Sequence, residues 1–508
     1  MDSRVIAYLQ SRQIKVIQED IGQKLDTWRD WYRGKVETFH NYSVYQGKEK
    51  LRLERKSLGM AARAAQRWAD LLLNEKVEIN INDAYTEKKA AELLHSVNFY
   101  VRGNNLIETA FAMGGGFFIQ YFDGKKTAQK YVGQEFMYPI TYDSGRLTEA
   151  AFSTRKYLGG REYVYLETHL LDDNGEYVVD NLLLQSDGGG LKEVGAGLYE
   201  QYSILPKWET HSSMPLFQMV RPNVANRDNF NSPYGTSVFA GAIDILKVID
   251  TIYDSYYKEF LLGKKRIFVK DGVSNINFDK ETGETIDVFD PNDEVFYRLP
   301  GEDGDPPLTE SNPVLRTSDH DAALQTQLNL FSQAVGMGSN AFKWDANGAA
   351  TATQIISENS EMFRTLKKHE ALLSDAIIQM VRGLLFIEAT FGGDRAIKTD
   401  ADITVNFDDS IIEDTGEIRR QAMLEYNAGL IDAVEYYMTV FKMTEEQAIA
   451  YRDRLLERAQ PIEEEPEPEG DDENEGEDNE KNGDGQRSGD RKKDPGKPEN
   501  DGEGNDGE

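Results

Sequence analysis

The sequence contains no cysteine, which excludes disulfide bonds, thiolate catalysis and thiolate metal sites. This absence is typical of proteins that live in a reducing compartment. The first residues also lack an apolar signal segment, and the most apolar stretch, residues 371–391, is interrupted by Asp375, Arg382 and Glu388. We therefore expect assembly in the cytoplasm and no membrane span.

Basic residues are scarce, with 57 Lys and Arg against 89 Asp and Glu, for a net charge of −32 over 508 residues. Tight static binding to nucleic acid needs clustered cations that displace counterions from phosphates. The charge balance argues against such binding. It still allows a passage through which DNA slides without adhering.

The motifs of common enzyme classes are absent as well. No phosphate loop of the form G-x-x-x-x-G-K-[ST] occurs, and the six histidines are scattered without an H-E-x-x-H pair. Gly336-x-Gly338-x-x-Ala341 imitates a dinucleotide-binding motif, but a predicted helix precedes it where that motif requires a strand. We expect no catalytic residue, no cofactor and no metal site, and hence a protein that is not an enzyme.

Two clusters of aspartates leave a metal-dependent nuclease open as an alternative. They are Asp287, Asp290 and Asp293, and the pair Asp172 and Asp173. Carboxylates of this kind can coordinate Mg²⁺ or Ca²⁺. Each cluster lies in a Gly/Asn/Pro-containing turn, where Asp is favoured by local hydrogen bonding, so a solvated turn is the preferred interpretation.

The chain is long enough for several domains, and its last 48 residues differ in composition from the rest. From Pro461 onward there are 20 acidic and 6 basic residues, and Ile462 is the one large aliphatic residue. Such a segment cannot bury a core. We predict a disordered acidic tail over 461–508, after a folded body of 460 residues.

The body is predicted to be α+β. In its first part, apolar residues from Leu58 to Leu72 recur at helical spacing behind Ser57, a candidate cap, while residues 48–56 form a basic run. From Phe117 to about Gln185 apolar residues recur at every second position, as in a strand, and Asp173-Asn174-Gly175 is a hairpin signal. This stretch predicts an antiparallel β region.

Two long amphipathic helices are predicted over 235–262 and 318–335, on either side of a compact insert with strand-like pieces at 266–270 and 294–299. Asp250 and Asp254 are assigned to the polar faces of the first helix. We expect the apolar stripes to pack in an oligomer, because two helices cannot hide both stripes in a monomer. The stripe residues singled out are Ile245, Ile249, Ile252, Leu324, Leu328 and Phe331.

After the second helix comes a loop over 336–349 with glycines at both ends, followed by a very long helix to about Phe391 that Gly392-Gly393 ends. Thr351 and Gln354 form a predicted capping box at its start. A strand at 403–407 and helices beginning near 418, 432 and 444 complete the pattern.

This order of elements resembles the portal proteins of tailed bacteriophages, particularly the long-tailed phages of Gram-positive hosts. Local sequences that look like that family are Trp31-Tyr32-Arg33-Gly34, the helix from Ser57 to Glu75, Ser232-Pro233-Tyr234-Gly235, residues 351–360, residues 405–410 and residues 427–431. The similarity covers about residues 1–460, and the acidic tail has no counterpart in it.

The resemblance implies a portal fold with five parts. These are a mixed wing (1–234 and 350–412, including a long kinked helix), a two-helix stem (235–262 and 318–335), a small β-containing clip (263–317), a tunnel loop (336–349) and a helical crown (413–460). The disordered acidic tail (461–508) is predicted from composition alone.

The resemblance also implies a function: a ring, usually of twelve subunits, at one capsid vertex of the virion, through which double-stranded DNA is packaged and ejected. The implied partners are further copies of the chain, double-stranded DNA, the terminase large subunit, the major capsid protein, the scaffold protein and the head–tail connector or adaptor protein, with no membrane. Lys343, Trp344 and Asn340 are the candidates for DNA contact in the tunnel loop. The alternative from another class is an oligomeric helical scaffold or adaptor without a DNA channel.

Overall fold

The computed structural model describes residues 2–46, 48–74, 77–202, 204–270, 277–278, 285–286, 296–299, 308–344, 352–407, 415–441 and 443–459. The predicted acidic tail, the capping residue Thr351, the end of the predicted tunnel loop and Asp287, Asp290 and Asp293 lie outside these residues. The chain divides into two compact units, Met1–Gln421 and Ala422–Glu508. Helices and strands are mixed throughout the larger unit, as the α+β assignment predicts.

The first part of the larger unit is mainly helical. Its elements are α1 (Ser3–Ser11), α2 (Gly22–Tyr32), α3 (Glu37–His40), β1 (Asn41–Gln46), β2 (Glu49–Glu54), α4 (Met60–Leu72), β3 (Glu78–Ile81), α5 (Ala84–Ser96) and α6 (Phe99–Met113). The predicted cap at Ser57 is wrong, because α4 begins after Gly59, whose φ of 70° lies in the left-handed region that glycine tolerates. The basic run belongs to the β1–β2 hairpin.

The predicted antiparallel region is confirmed. Its strands are β4 (Gly116–Phe122), β5 (Thr127–Gly133), β6 (Met137–Asp143), β7 (Arg146–Leu158), β8 (Arg161–Leu171), β9 (Tyr177–Asp187) and β10 (Gly190–Glu193). After the short helix α7 (Ala196–Gln201), strands β11 (Lys207–Glu209) and β12 (Phe217–Val220) complete two sheets. One has the order β10-β9-β8-β7-β6 with β11 on β9, and the other the order β12-β4-β5.

The helix–insert–helix pattern is also present, with a later start. Helix α8 spans Ile243–Leu262 and so begins eight residues later than predicted. The preceding residues are held in another conformation, because the Ser237 hydroxyl and the Val238 N–H donate to the carbonyl of Phe111 and a 3₁₀ turn occupies Ala240–Ala242. The insert contains β13 (Arg266–Lys270), β14 (Asn277–Phe278), β15 (Thr285–Ile286), β16 (Phe296–Leu299) and β17 (Leu308–Ser311), and α9 follows at Thr317–Ala334. Strand β13 pairs with β16 in parallel and with β17 in antiparallel orientation.

The very long helix is α10 (Ala352–Thr390), and its apolar seam is the spine of the main core. Leu366, Leu373, Ile377, Met380 and Leu384 are all at most 4% exposed. As predicted, it ends at Gly392-Gly393, where Gly393 has a φ of 83°. Strand β18 (Ile403–Asn406) then pairs with β3, which joins the C-terminal end of this unit to its N-terminal part.

Three helices follow: α11 (Thr415–Asn427), α12 (Ala433–Phe441) and α13 (Glu445–Ala459). In the smaller unit two of them begin with reciprocal caps. Asp432 exchanges backbone-to-side-chain bonds with Glu435, and Thr444 does so with Gln447. None of the described helices is long and apolar enough to cross a membrane.

Candidate functional site

The two predicted stem helices, α8 and α9, are joined at their far ends by a bidentate ion pair. Arg316 donates through Nε and Nη2 to the two carboxylate oxygens of Glu259, at 3.1 and 2.7 Å. These bonds from the Arg316 side chain lower the pKa of Glu259 to about 2. The end of α8 is thereby fixed to the start of α9 across the insert.

The six predicted stem residues lie in the main core of the single chain. Ile249, Leu324, Leu328 and Phe331 are at most 2% exposed, and Ile245 and Ile252 are partly buried against the same core. The expectation that these stripes stay uncovered in a monomer is therefore corrected, because helices α2, α4, α6 and α10 contribute to the core that covers them. The exposed apolar side chains of the stem are others: Val248, Tyr257, Phe260, Leu261, Leu262 and Leu330.

The assignment of Asp250 and Asp254 to polar outer faces is wrong, since they are 2% and 4% exposed. Asp250 accepts hydrogen bonds from His40 Nε2 at 3.0 Å and from the backbone N–H of Leu58 at 2.8 Å. His40 Nδ1 itself accepts from the N–H of Val36, so the ring proton lies on Nε2. The carboxylates at i and i+4 of α8 thus dock the N-terminal part of the chain. The sequence signal for this buried docking contact was an acidic pair, Asp250 and Asp254, within an otherwise apolar stripe.

The segment after α9 is held in place rather than hinged. Gly336 and Gly338 have φ values of 80° and 73°, and Met337 between them is 2% exposed. Trp68 Nε1 donates to the carbonyl of Val335 at 3.1 Å, and Ala341 N–H donates to Ser332 Oγ at 3.2 Å. Glycine at this end of the loop therefore permits one tight turn, after which Ala341 bonds back to α9.

Trp344 is anchored between the two stem helices. Its indole N–H donates to Asp321 Oδ1 at 2.8 Å, and its backbone N–H donates to Gln325 Oε1 at 2.7 Å. Its ring centroid lies 6.3 Å from those of Tyr253 and Tyr256, in edge-on arrangements. Asp321 and Gln325, at i and i+4 of α9, are site residues that the sequence analysis missed.

Lys343 is exposed beside Trp344, and Asn340 is partly buried. Lys343 and Trp344 line a groove of about 320 Å³, whose charged lining residues are Lys343, Arg63, Arg67 and Asp70. Arg67 Nη1 also donates to the carbonyl of Ala341 at 2.8 Å, which ties α4 to the loop. The structure therefore brings two arginines of α4 next to Lys343 and forms a basic groove on an acidic chain.

We expect Asp321→Ala to loosen Trp344. Loss of a hydrogen bond to a charged acceptor at a partly exposed site costs about 1–2 kcal/mol, enough to populate a detached loop. Of the five tryptophans, four are at most 6% exposed and Trp344 is 37% exposed. Acrylamide quenching should therefore increase in Asp321→Ala.

Asp319→Ala is the matched control, because this exposed carboxylate lies one half-turn earlier on the same helix. Trp344→Phe should remove the quenchable component. Equal quenching in Asp321→Ala and the wild type would show that the anchor does not hold the loop.

His369 connects α10 to α4, to α6 and to the segment after β12. It is 2% exposed, its Nδ1 accepts the N–H of Asn223 at 2.9 Å, and its ring packs edge-on against Trp68 and Phe111 at 4.7 and 5.0 Å. Burial, with a smaller contribution from Lys368, lowers its pKa to about 4. The imidazole is neutral in the folded chain near neutral pH.

This burial predicts a pH-dependent stability. The unfolded chain binds the proton near pH 6.5 and the folded chain only near pH 4, so the stabilisation is complete above 6.5 and is lost as the pH falls toward 4. Between pH 7 and pH 5 the loss is about 2 kcal/mol. Urea unfolding at both pH values should show this loss, and His369→Gln should remove it. His211→Gln, at a side chain that is 72% exposed, should retain it.

Asp172, one of the remaining candidates for chemistry, has a structural role. Asp172 Oδ1 accepts the backbone N–H groups of Asn174 and Glu176, both at 2.9 Å, as the turn interpretation predicts. Within the described ranges no group of three or more His, Asp or Glu residues could hold a metal ion.

Comparison with known protein families matches the chain to the family described as phage portal protein, SPP1 Gp6-like, over residues 12–467. The match begins directly after α1 and extends beyond α13. No curated protein matches the chain.

Proposed function

Because the chain belongs to the SPP1 Gp6-like family of phage portal proteins, we propose that it forms a closed ring whose central channel carries double-stranded DNA during packaging and ejection. As a portal protein it is a bacteriophage protein of the capsid vertex that acts in DNA packaging. The observation that carries the proposal is the family match over most of the chain.

The arrangement of the stem supports a ring. Val248 and Leu330 are 42% and 45% exposed on the predicted stem helices, although Ile249, Leu324, Leu328 and Phe331 of the same helices are already buried. Exposed aliphatic residues in the middle of a helix pair are stabilised when a neighbouring copy packs on them. We propose a ring of twelve subunits. The same ring would dock the terminase large subunit, the capsid and scaffold proteins and the head–tail connector.

Charge supports the channel. A wall with an excess of carboxylates repels phosphate and limits adhesion, so DNA can move. The basic groove at Lys343, Arg63 and Arg67 then supplies a small number of weak, salt-screened phosphate contacts. We propose that Lys343 contacts DNA, while Trp344 braces the loop on its own stem.

Electron microscopy of the purified full-length chain tests the proposal. Rings with an open centre are expected. Elongated or heterogeneous particles would favour a scaffold or adaptor protein, and Mg²⁺-dependent cleavage of DNA would favour the nuclease alternative. Either result would contradict the proposed channel.

A further inference from the structure

The hairpin β1–β2, in the proposed wing, is largely exposed among the described residues. Its strands pair with each other and with no third strand in the described sheets. Every residue of β2 is exposed, and Tyr45 in β1 is 75% exposed. An isolated two-stranded hairpin is only marginally stable in water, so a further surface is needed to stabilise it.

The register gives the hairpin two different faces. Val44 lies opposite Leu51 and Tyr42 opposite Leu53, so these four residues share one apolar face. Tyr45 lies opposite Lys50 and Ser43 opposite Arg52 on the other, polar and basic face. Val44, Leu51 and Leu53 remain 36–37% exposed.

The base of the hairpin is rigidly attached to the stem. Asp250 holds His40 before β1 and Leu58 after β2, and Asp254 accepts the backbone N–H of Lys56 at 3.2 Å. Lys258 bridges Asp254, at 2.6 Å, and the hydroxyl of Tyr42. Both ends of the hairpin are therefore fixed on one face of α8, and a surface held in this way loses little entropy on binding.

Beyond this attachment, the same face of α8 continues with apolar residues. Leu261 lies seven residues, or two turns, after Asp254, and both Leu261 and Tyr257 are 47% exposed. Lys56 Nζ lies 5.8 Å from the Tyr257 ring, which places the hairpin base next to this segment. We call the exposed set Val44, Leu51, Leu53, Tyr257 and Leu261 the hairpin–stem surface.

We propose that a second copy of this chain covers the hairpin–stem surface. The inference rests on the proposed ring. Residues 48–56 hold five basic and two acidic residues, whereas the whole chain has a charge of −32, so another copy is electrostatically complementary to the hairpin. A duplex would bind the basic face but would leave the aliphatic face in water, which favours a protein as the occupant.

A cyclic ring requires that each copy present two different faces. Val248 lies about 200° around α8 from Asp250, so it is on the side away from the hairpin. Together with Asp244, Thr251 and Ser255 it forms an exposed stripe along that side. This outer stripe is the surface on the neighbouring copy that receives the hairpin.

Leu51→Asp tests the inference against Tyr45→Asp, which adds the same carboxylate to the opposite face of the same hairpin. Leu51→Asp is expected to raise the subunit concentration needed for ring formation about 100-fold, because the carboxylate would have to be desolvated at the contact. Tyr45→Asp should form rings like the wild type. Mass photometry measures the ring fraction, and circular dichroism should give equal helix content for both variants, which shows that each subunit is folded.

Covalent capture provides a second test, since the chain has no cysteine of its own. Oxidation of the double variant Leu51→Cys/Val248→Cys should give disulfide-linked oligomers of increasing size on a non-reducing gel, and neither single variant should do so. If Leu51→Asp still forms rings, or if the double variant stays unlinked, the inference is overturned but the proposed ring is not. Intact Leu51→Asp rings together with loss of DNA contact in Lys50→Glu would assign the hairpin to DNA instead. A wild-type chain that forms no ring would overturn the proposed function as well.

Discussion

Particles whose portal carries Lys343→Glu in every subunit are expected to hold at least about tenfold less packaged DNA than wild-type particles, because the substitution replaces a cation by an anion in every copy around the proposed channel. Lys343 is exposed beside the stem, and Arg63 and Arg67 lie in the same groove. A carboxylate at this position would attract these two arginines away from phosphate and repel the duplex. The effect should decrease as salt is raised, because exposed charges are screened.

Ring assembly should not change in this variant, because Lys343 is not part of the buried stem contacts. Lys192→Glu is the matched control, since it makes the same charge change at an exposed position on the edge strand β10. Quantifying DNA per particle by its ultraviolet absorbance, with ring integrity checked by microscopy, separates the two effects. Normal DNA content in intact Lys343→Glu particles would remove this loop from the packaging mechanism.

Lys130→Met should lower the free energy of unfolding by about 3–5 kcal/mol, because it leaves a buried carboxylate without its counterion. Glu167 on β8 is 2% exposed and is paired with Lys130 on β5. The Lys130 ammonium lies 4.5 and 4.4 Å from the ring centroids of Tyr121 and Tyr165, and His169 Nε2 lies 3.3 Å from Glu167 Oε1. This ion pair connects the three-stranded sheet to the six-stranded sheet.

The pKa of Glu167 supports this interpretation. Burial by itself raises the pKa of Glu167. The Lys130 ammonium and His169 lower this pKa by more than burial raises it, so the net pKa is about 2. The folded pKa is below the unfolded value of 4.5, so the pair stabilises the chain above pH 4.5 and this contribution is lost as the pH falls toward 2. Without Lys130 the carboxylate should become easier to protonate.

Urea unfolding of three variants measures the effect. Lys130→Met should be strongly destabilised, and Lys130→Met/Glu167→Gln should recover to within about 1–2 kcal/mol of the wild type, because no buried charge remains. Lys125→Met, an exposed lysine before β5, should be unchanged. A double variant that is no more stable than Lys130→Met would mean that packing around the lysine stem, and not charge, accounts for the loss.

The sequence determined the elements whose pattern is local and periodic. The seam from Leu366 to Leu384 predicted α10 because one apolar face repeats over many turns, and Asp173-Asn174-Gly175 predicted the β8–β9 hairpin because few residues tolerate that turn. The local motifs from Trp31 to residue 431 likewise indicated the family. Composition alone excluded thiol chemistry.

Only the tertiary structure decided which polar residues are buried and which apolar residues remain exposed. Periodicity assigned Asp250 and Asp254 to the outer faces of α8, but a folded-back N-terminal segment supplies His40 and two backbone N–H groups from about 200 positions away in the sequence. Trp344 met Asp321 and Gln325 in the same way, through the turn at Gly336. A helical pattern shows the spacing of apolar residues but does not show which distant donor will bond to a carboxylate. These contacts could therefore not be predicted from the sequence alone.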